Sequence, residues 1–119
     1  MPNERWADLK LRTKEFALRI LRLARALPKT LEGQRIADQL LRAGMGVGAN
    51  FREATRARSG HEFAAKVNIA LMELEEVSYW FELLQDGEII TPDRLVSLRA
   101  EAEELIAIFV TIIKNAKEE

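Results

Sequence analysis

Four segments of the chain carry apolar residues at alternating spacings of three and four, the spacing that keeps one face of a helix buried. They span residues 6–27, about 31–58, 63–84 and 95–112. Pro28 interrupts the pattern after the first segment, and no segment shows the alternate-residue pattern of a half-buried strand. The spacing therefore predicts an all-α fold of four helices.

The breaks between these segments carry helix start and stop signals. Ser59 followed three residues later by Glu62 is a capping box, which predicts the start of the third helix. Thr91 before Pro92 predicts the start of the fourth helix, and Gly87 predicts the end of the third. Because such short links place consecutive helices side by side, we expect an antiparallel up-down-up-down four-helix bundle that forms a single domain over residues 1–119.

Composition and charge restrict the classes of protein to consider. The chain has 119 residues and no cysteine, so it forms no disulfide or thiolate metal site. No signal-peptide core and no run of eighteen apolar residues is present, which favours a cytoplasmic protein without membrane segments. Residues 1–66 hold fourteen Lys/Arg against seven Asp/Glu, whereas residues 67–119 hold four against twelve. This asymmetry favours self-association or an anionic partner over evenly scattered charge.

The second and third predicted helices each have an apolar surface beyond the one that a bundle core needs. On the third helix a second apolar stripe lies roughly opposite the core stripe; it predicts a protein interface, unless it is only a wide edge of the core. On the second helix a second row beside the core stripe includes Phe51 and two glycines four residues apart, and the glycine pair predicts close packing of a helix backbone. The candidate residues of a homo-oligomer interface are Leu41, Gly44, Gly48, Ile69, Met72, Tyr79, Trp80 and Leu83.

A third surface of the second helix is basic, and it continues into the start of the third. Arginines in this position could contact phosphates in a salt-dependent, largely sequence-independent manner. No aromatic residues alternate with them as they do in a single-strand stacking surface. The candidate residues for binding RNA or DNA are Arg35, Arg42, Arg52, Arg56, Arg58 and Lys66.

The sequence offers little material for catalysis or for a cofactor. The segment GMGVG, residues 44–48, lacks the preceding strand that a dinucleotide-binding loop requires. The only histidine is His61, so neither a Glu-x-x-His di-iron site nor a Ser-His pair is available. We therefore expect no catalytic residues, no metal and no cofactor. Asn50 lies on the core stripe and is interpreted as a buried amide that bonds another helix, with a ligand contact as the alternative, while Gly46 has no evident role.

The second and third helices together resemble a known family. The segment from Gln39 to Leu84 is similar to the signature region of the ribosomal RNA intervening-sequence proteins. The matching positions are Gln39, Leu40, Arg42, Ala43, Asn50, Phe51, Glu53, Ser59, Phe63, Ile69, Ala70, Glu73, Glu76, Trp80, Glu82, Leu83 and Leu84.

The resemblance implies a small antiparallel four-helix bundle that assembles into a homopentameric ring. Related accessory proteins of diversity-generating retroelements associate with a reverse transcriptase and nucleic acid through a basic surface. The chain departs from the family pattern at two points. Glycines stand between Arg42 and Asn50 where the family has other small residues, and the second half of the chain is acidic. We accordingly expect a non-enzymatic oligomeric scaffold, with a nucleic-acid-binding accessory protein as the alternative.

Overall fold

A computed structural model describes residues 4–117 of the chain as four α-helices and two short 3-10 helices. The α-helices are α1 (Ala7–Ala26), α2 (Leu31–Ala54), α3 (Gly60–Asp86) and α4 (Val96–Lys117). The 3-10 helices, Glu4–Trp6 and Pro92–Arg94, precede α1 and α4. No strand occurs in the described part, so the predicted all-α class and the four helices are confirmed.

The starts of α2 and α3 follow from local capping. The hydroxyl of Thr30 accepts a hydrogen bond from the backbone N–H of Gly33 at 3.1 Å, and that of Ser59 accepts one from Glu62 at 3.1 Å. Each satisfies a donor that the first turn of a helix leaves unpaired. The Glu62 carboxylate accepts from the N–H of Arg58 at 3.0 Å, one residue earlier than in the standard capping box.

The ends of two helices differ from the prediction. Helix α2 stops at Ala54 rather than near Arg58, and α4 begins at Val96 because Pro92–Arg94 forms a separate 3-10 turn. The Thr91 side chain makes no capping hydrogen bond there. Helix α3 does end before Gly87, as predicted, but it is Glu88 that takes the left-handed backbone conformation, with φ of 57°.

The core runs between the helices, which pack together as a four-helix bundle. Each α-helix contributes one fully buried phenylalanine: Phe16, Phe51, Phe81 and Phe109. The rings of Phe51 and Phe109 stack with centroids 5.5 Å apart, and Trp6 meets the Phe51 ring edge-on at 5.9 Å. The sequence placed Phe51 in the second row of α2, outside the core stripe. It is instead a central core residue, because α1 and α4 both close over that side of α2.

Specific residue pairs fix how each helix lies beside its neighbours. Between α1 and α2, Ile20 lies against Gly44 and Thr13 against Gly48. Between α2 and α3, Arg42 pairs with Glu76 and Glu53 with Lys66. Between α3 and α4, Gln85 accepts a hydrogen bond from Arg99, and between α4 and α1, Glu101 pairs with Arg12. The described chain measures 47 × 20 × 19 Å along its principal axes, so the helices share one long direction.

Candidate interface on the second and third helices

The glycine row of α2 packs within the chain. A Cβ atom at Gly44 would lie 2.8 Å from Cγ2 of the fully buried Ile20 on α1, and one at Gly48 would lie 3.1 Å from the Thr13 hydroxyl. Both glycines are buried. The close helix packing predicted from their spacing is confirmed, but the prediction that they form a subunit contact is wrong, because α1 already covers them.

Gly46 faces the other neighbour of α2. A Cβ atom there would collide with the carboxylate of Glu73 on α3. The absence of a side chain at Gly46 lets that carboxylate approach the helix, where only about a fifth of the Glu73 side chain stays exposed. The residue without an evident role in the sequence therefore makes room for an acidic side chain of the same protein.

An ionic and hydrogen-bonded network, which we call the α2–α3 network, crosses this seam. The Arg42 guanidinium pairs with Glu76, lies 3.5 Å from Oε2 of Glu73 and donates to Oε1 of Gln39 at 3.1 Å. The indole N–H of Trp80 donates to the Glu76 carboxylate at 3.0 Å. Two carboxylates thus neutralise Arg42, and the hydrogen bond from Trp80 to Glu76 orients the indole along α3. This engagement weakens the case for Arg42 as a free phosphate contact.

The remaining basic candidates lie in different surroundings. Lys66 donates to Oε1 of Glu53 at 2.8 Å, and this hydrogen bond, followed by the attraction of the same carboxylate, raises the pKa of Lys66. Arg35, Arg56 and Arg58 are exposed. Lys66 is therefore already paired, whereas these three arginines form no ion pair among the described residues.

Tertiary structure adds a basic residue that the sequence pattern did not include. Lys10 of α1 lines a groove of about 420 Å³ together with Arg52, Glu53 and Arg56 of α2, and Arg52 donates to the Lys10 carbonyl at 3.4 Å. We call it the Lys10 groove. No signal in the sequence links Lys10 to Arg52, because the two are brought together only by the packing of α1 on α2.

The second apolar stripe of α3 is exposed in part. Ile69, Met72 and Tyr79 have 45%, 59% and 53% of their surface accessible, and we call these three residues the apolar face. Trp80 and Leu83, from the same predicted set, are only partly buried, as is Leu41 of α2. Met45 of α2, which the prediction omitted, is 49% exposed and lies one turn after Arg42. Exposed large apolar side chains grouped in this way are typical of an interface.

Asn50 does not bond another helix. Its Nδ2 donates to the carbonyl of Gly46, one turn earlier in α2, at 2.8 Å, and the side chain is only partly buried. The prediction of an interhelical hydrogen bond is wrong, because Phe51, the next residue, takes the buried position at this level. The Asn50 amide stays at the edge of the core and bonds the nearest carbonyl of its own helix.

The described part of the chain shows no candidate metal site and no candidate membrane span. Within residues 4–117 no three His, Asp or Glu side chains are grouped to hold a metal ion, and no helix is long and apolar enough to cross a membrane. A cavity of about 250 Å³ lies beside the stacked rings of Trp6 and Phe63, 5.3 Å apart, with Arg5 and Asn115 at its lining. Its described lining includes no carboxylate or imidazole that could act as a general base.

The fold and the α2–α3 network define a compact bundle of four helices with a polar seam and an exposed apolar face. The model of the 23S rRNA-intervening sequence protein family matches residues 8–111, and the chain belongs to that family. It is also similar to a crystal structure of a protein of unknown function from the S23 ribosomal protein family of Bacteroides thetaiotaomicron. The two are 37% identical with a TM-score of 0.84, over 96% of this chain and 99% of the other. Comparison with curated proteins gives no significant match.

Proposed function

We propose that the protein is a non-enzymatic scaffold whose helices run antiparallel, up-down-up-down, and which associates with copies of itself through the apolar face of α3. The register of side-chain pairs supports the helix directions. Trp6, just before α1, and Thr13 and Ile20 of α1 meet Phe51, Gly48 and Gly44 of α2, in reverse numerical order. The same reversal links Arg42 to Glu76 and Glu53 to Lys66 between α2 and α3.

The observation that carries self-association is the exposure of Ile69, Met72 and Tyr79 on one side of α3. Covering these side chains with a second copy removes apolar surface from water, at about 25 cal/mol per Å² buried. Charge supports the same partner, since residues 1–66 carry a net charge of +7 and residues 67–119 one of −8. A basic surface of one copy can thus face an acidic surface of the next. A homopentameric ring is the assembly that the family resemblance implies.

Molar mass in solution tests the proposal. We expect a species several times the chain mass of 13.6 kDa by light scattering after size-exclusion chromatography, with Met72→Glu shifting it towards the monomer. Val110→Glu on α4 is the matched control, because Val110 is also an exposed apolar residue, at 49%, but lies outside the apolar face. A monomeric wild type at all concentrations, or equal dissociation by both variants, would rule the apolar face out as the interface.

A second candidate function is binding of nucleic acid, alone or beside a nucleic-acid enzyme such as a reverse transcriptase. The Lys10 groove supports it, since Lys10, Arg52 and Arg56 converge there with Glu53 as the one acidic lining residue. Assembly would repeat this groove in every subunit and so multiply a modest attraction for phosphates. The apolar face favours the scaffold as the primary function.

Fluorescence anisotropy with labelled RNA and DNA oligonucleotides at several salt concentrations tests this candidate. We expect binding that weakens steeply with salt and that Arg52→Gln combined with Arg56→Gln reduces about tenfold or more. Lys114→Gln together with Lys117→Gln removes the same charge from the end of α4 and serves as the control. Absence of binding at low salt, or equal weakening by both double variants, would exclude the Lys10 groove as the nucleic-acid-binding site.

A further inference from the structure

The seam between α1 and α4 is bridged by long polar side chains. The backbones of these two helices approach each other less closely than those of α1 and α2. Arg12 crosses the seam with Nη2 2.7 Å from Oε1 of Glu101 and 3.3 Å from Oε1 of Glu104. The hydrogen bond to Glu101 is the main reason that the pKa of Arg12 is raised. The positive charge of Arg12 is therefore compensated within the protein.

Two turns further along α1, the same seam presents a different arrangement. Arg19 lies seven residues after Arg12 and so on nearly the same face of the helix. The partner of Arg19 is Ser97, which lies one turn before Glu101 on α4. The hydroxyl oxygen of Ser97 accepts a hydrogen bond from Nη2 of Arg19 at 2.8 Å. A hydroxyl orients the guanidinium without neutralising it. Arg19 forms no ion pair with any residue in the described part of the chain.

Two more arginines join Arg19 at this point. Arg22, one turn later on α1, and Arg94, in the 3-10 turn before α4, line the same groove, whose volume is about 310 Å³. Leu23, Ala26 and Leu98 supply its apolar lining, and none of its described lining residues is acidic. We call it the arginine groove. Three arginines and one serine, from α1, α4 and the 3-10 turn that precedes α4, thus line a concave surface whose described lining has no carboxylate.

We infer that the arginine groove binds a phosphomonoester group. Guanidinium groups recognise phosphate oxygens with paired, charge-assisted hydrogen bonds. Ser97 accepts its bond from Arg19, so its own hydroxyl proton is free to be donated to a phosphate oxygen. A monoester, which carries between one and a half and two negative charges at neutral pH, complements three arginines better than the single charge of a diester. The apolar lining accommodates a small organic group attached to the phosphate.

This site is separate from the surfaces of the proposed functions. Arg19, Arg22 and Arg94 belong neither to the apolar face of α3 nor to the Lys10 groove. Self-association and binding of nucleic acid at Lys10 can therefore fail without affecting the arginine groove, and the reverse also holds.

Titration of the full-length protein at low salt tests the assignment, with methyl phosphate, inorganic phosphate and dimethyl phosphate as probes. We expect the backbone amide signal of Ser97 to shift in the NMR spectrum with methyl and inorganic phosphate, and at least fivefold weaker binding of dimethyl phosphate. Arg22→Gln and Arg94→Gln should each weaken methyl phosphate binding about tenfold. Lys14→Gln and Lys29→Gln, which remove exposed charges elsewhere, are the matched controls.

Three results would overturn the assignment: no shift at Ser97 with either methyl phosphate or inorganic phosphate, equal weakening by the control variants, or equal binding of dimethyl phosphate. Competition with a single-stranded RNA oligonucleotide without terminal phosphates tests whether the groove binds a polynucleotide backbone instead. If that oligonucleotide displaces methyl phosphate from the groove, the ligand is a polynucleotide backbone and the monoester assignment is wrong. If the oligonucleotide does not displace methyl phosphate, the ligand is a small phosphorylated molecule. Circular dichroism of the arginine variants checks that α1 and α4 remain folded.

Discussion

The carboxylate of Glu73 on α3 occupies the space that Gly46 leaves free on α2. The same carboxylate lies 3.5 Å from the Arg42 guanidinium, which also pairs with Glu76. A glycine in the middle of a helix costs roughly 1 kcal/mol relative to alanine, and here it gives an acidic side chain access to the helix surface. Gly46 is thus part of the contact between α2 and α3.

Gly44 and Gly46 of α2 should respond differently to substitution by alanine. Gly44→Ala places a Cβ against Ile20, which is fully buried and branched, so we expect a net loss of about 1–2 kcal/mol in unfolding free energy from overpacking. Gly46→Ala meets the movable end of Glu73, and the gain in helix propensity should offset the displaced carboxylate to within about 1 kcal/mol. Urea unfolding at one fixed protein concentration compares the variants. Equal losses of unfolding free energy in the two variants would contradict the different surroundings described for Gly44 and Gly46.

The extent of the proposed interface can be mapped from Met45. This residue is 49% exposed on α2, beside the seam that Arg42 and Glu76 bridge. If a second copy covers both α3 and the seam, Met45→Glu should weaken assembly by at least tenfold in the dissociation constant, because a buried charge without a partner is costly. Sedimentation velocity over a concentration series measures this constant. An unchanged dissociation constant would restrict the interface to α3. Val96→Glu is the control, because Val96 is also an exposed apolar residue, at 64%.

The Arg42–Glu76 pair should contribute modestly to stability. Half of the Arg42 side chain and 30% of that of Glu76 are accessible to solvent, which screens their attraction. A double-mutant cycle with Arg42→Met and Glu76→Gln should give a coupling energy of about 0.5–1 kcal/mol. The cycle is measured by chemical unfolding at low and at high salt, and the coupling should fall as salt rises. A coupling energy of zero at low salt would show that the pair does not stabilise the seam.

Lys66 should titrate above the ordinary range of a lysine. The hydrogen bond to Glu53, and then the attraction of that carboxylate, favours the charged ammonium and raises its pKa. A raised pKa means that the stability from this pair is fully present below the ordinary lysine pKa of about 10.4 and is lost as pH rises through the folded-state value. NMR titration of the Lys66 Nζ signals in wild type and Glu53→Gln measures the difference. We expect the pKa of Lys66 to be lower in Glu53→Gln than in the wild type, and Glu62→Gln to lower it by less.

Local features were predictable because they depend on residues close together in the chain. The spacing of apolar residues predicted four helices, and Ser59 predicted the start of α3, since a hydroxyl caps a donor only three residues away. The α4 start was placed too early at Pro92, because proline also suits the 3-10 turn that forms there. Resemblance to the intervening-sequence proteins, carried by the segment from Gln39 to Leu84, was confirmed by the family match over residues 8–111.

The sequence by itself determined which faces of each helix are apolar, basic or free of side chains. Only the tertiary structure decided what covers each face: α1 for Gly44 and Gly48, Glu73 for Gly46, and Phe109 for Phe51. It also brought Lys10 to Arg52, and Arg94 to Arg19 and Arg22. The physical reason is that helix periodicity records the direction in which a side chain points. The partner it meets depends on packing between segments many residues apart, which the local pattern does not encode.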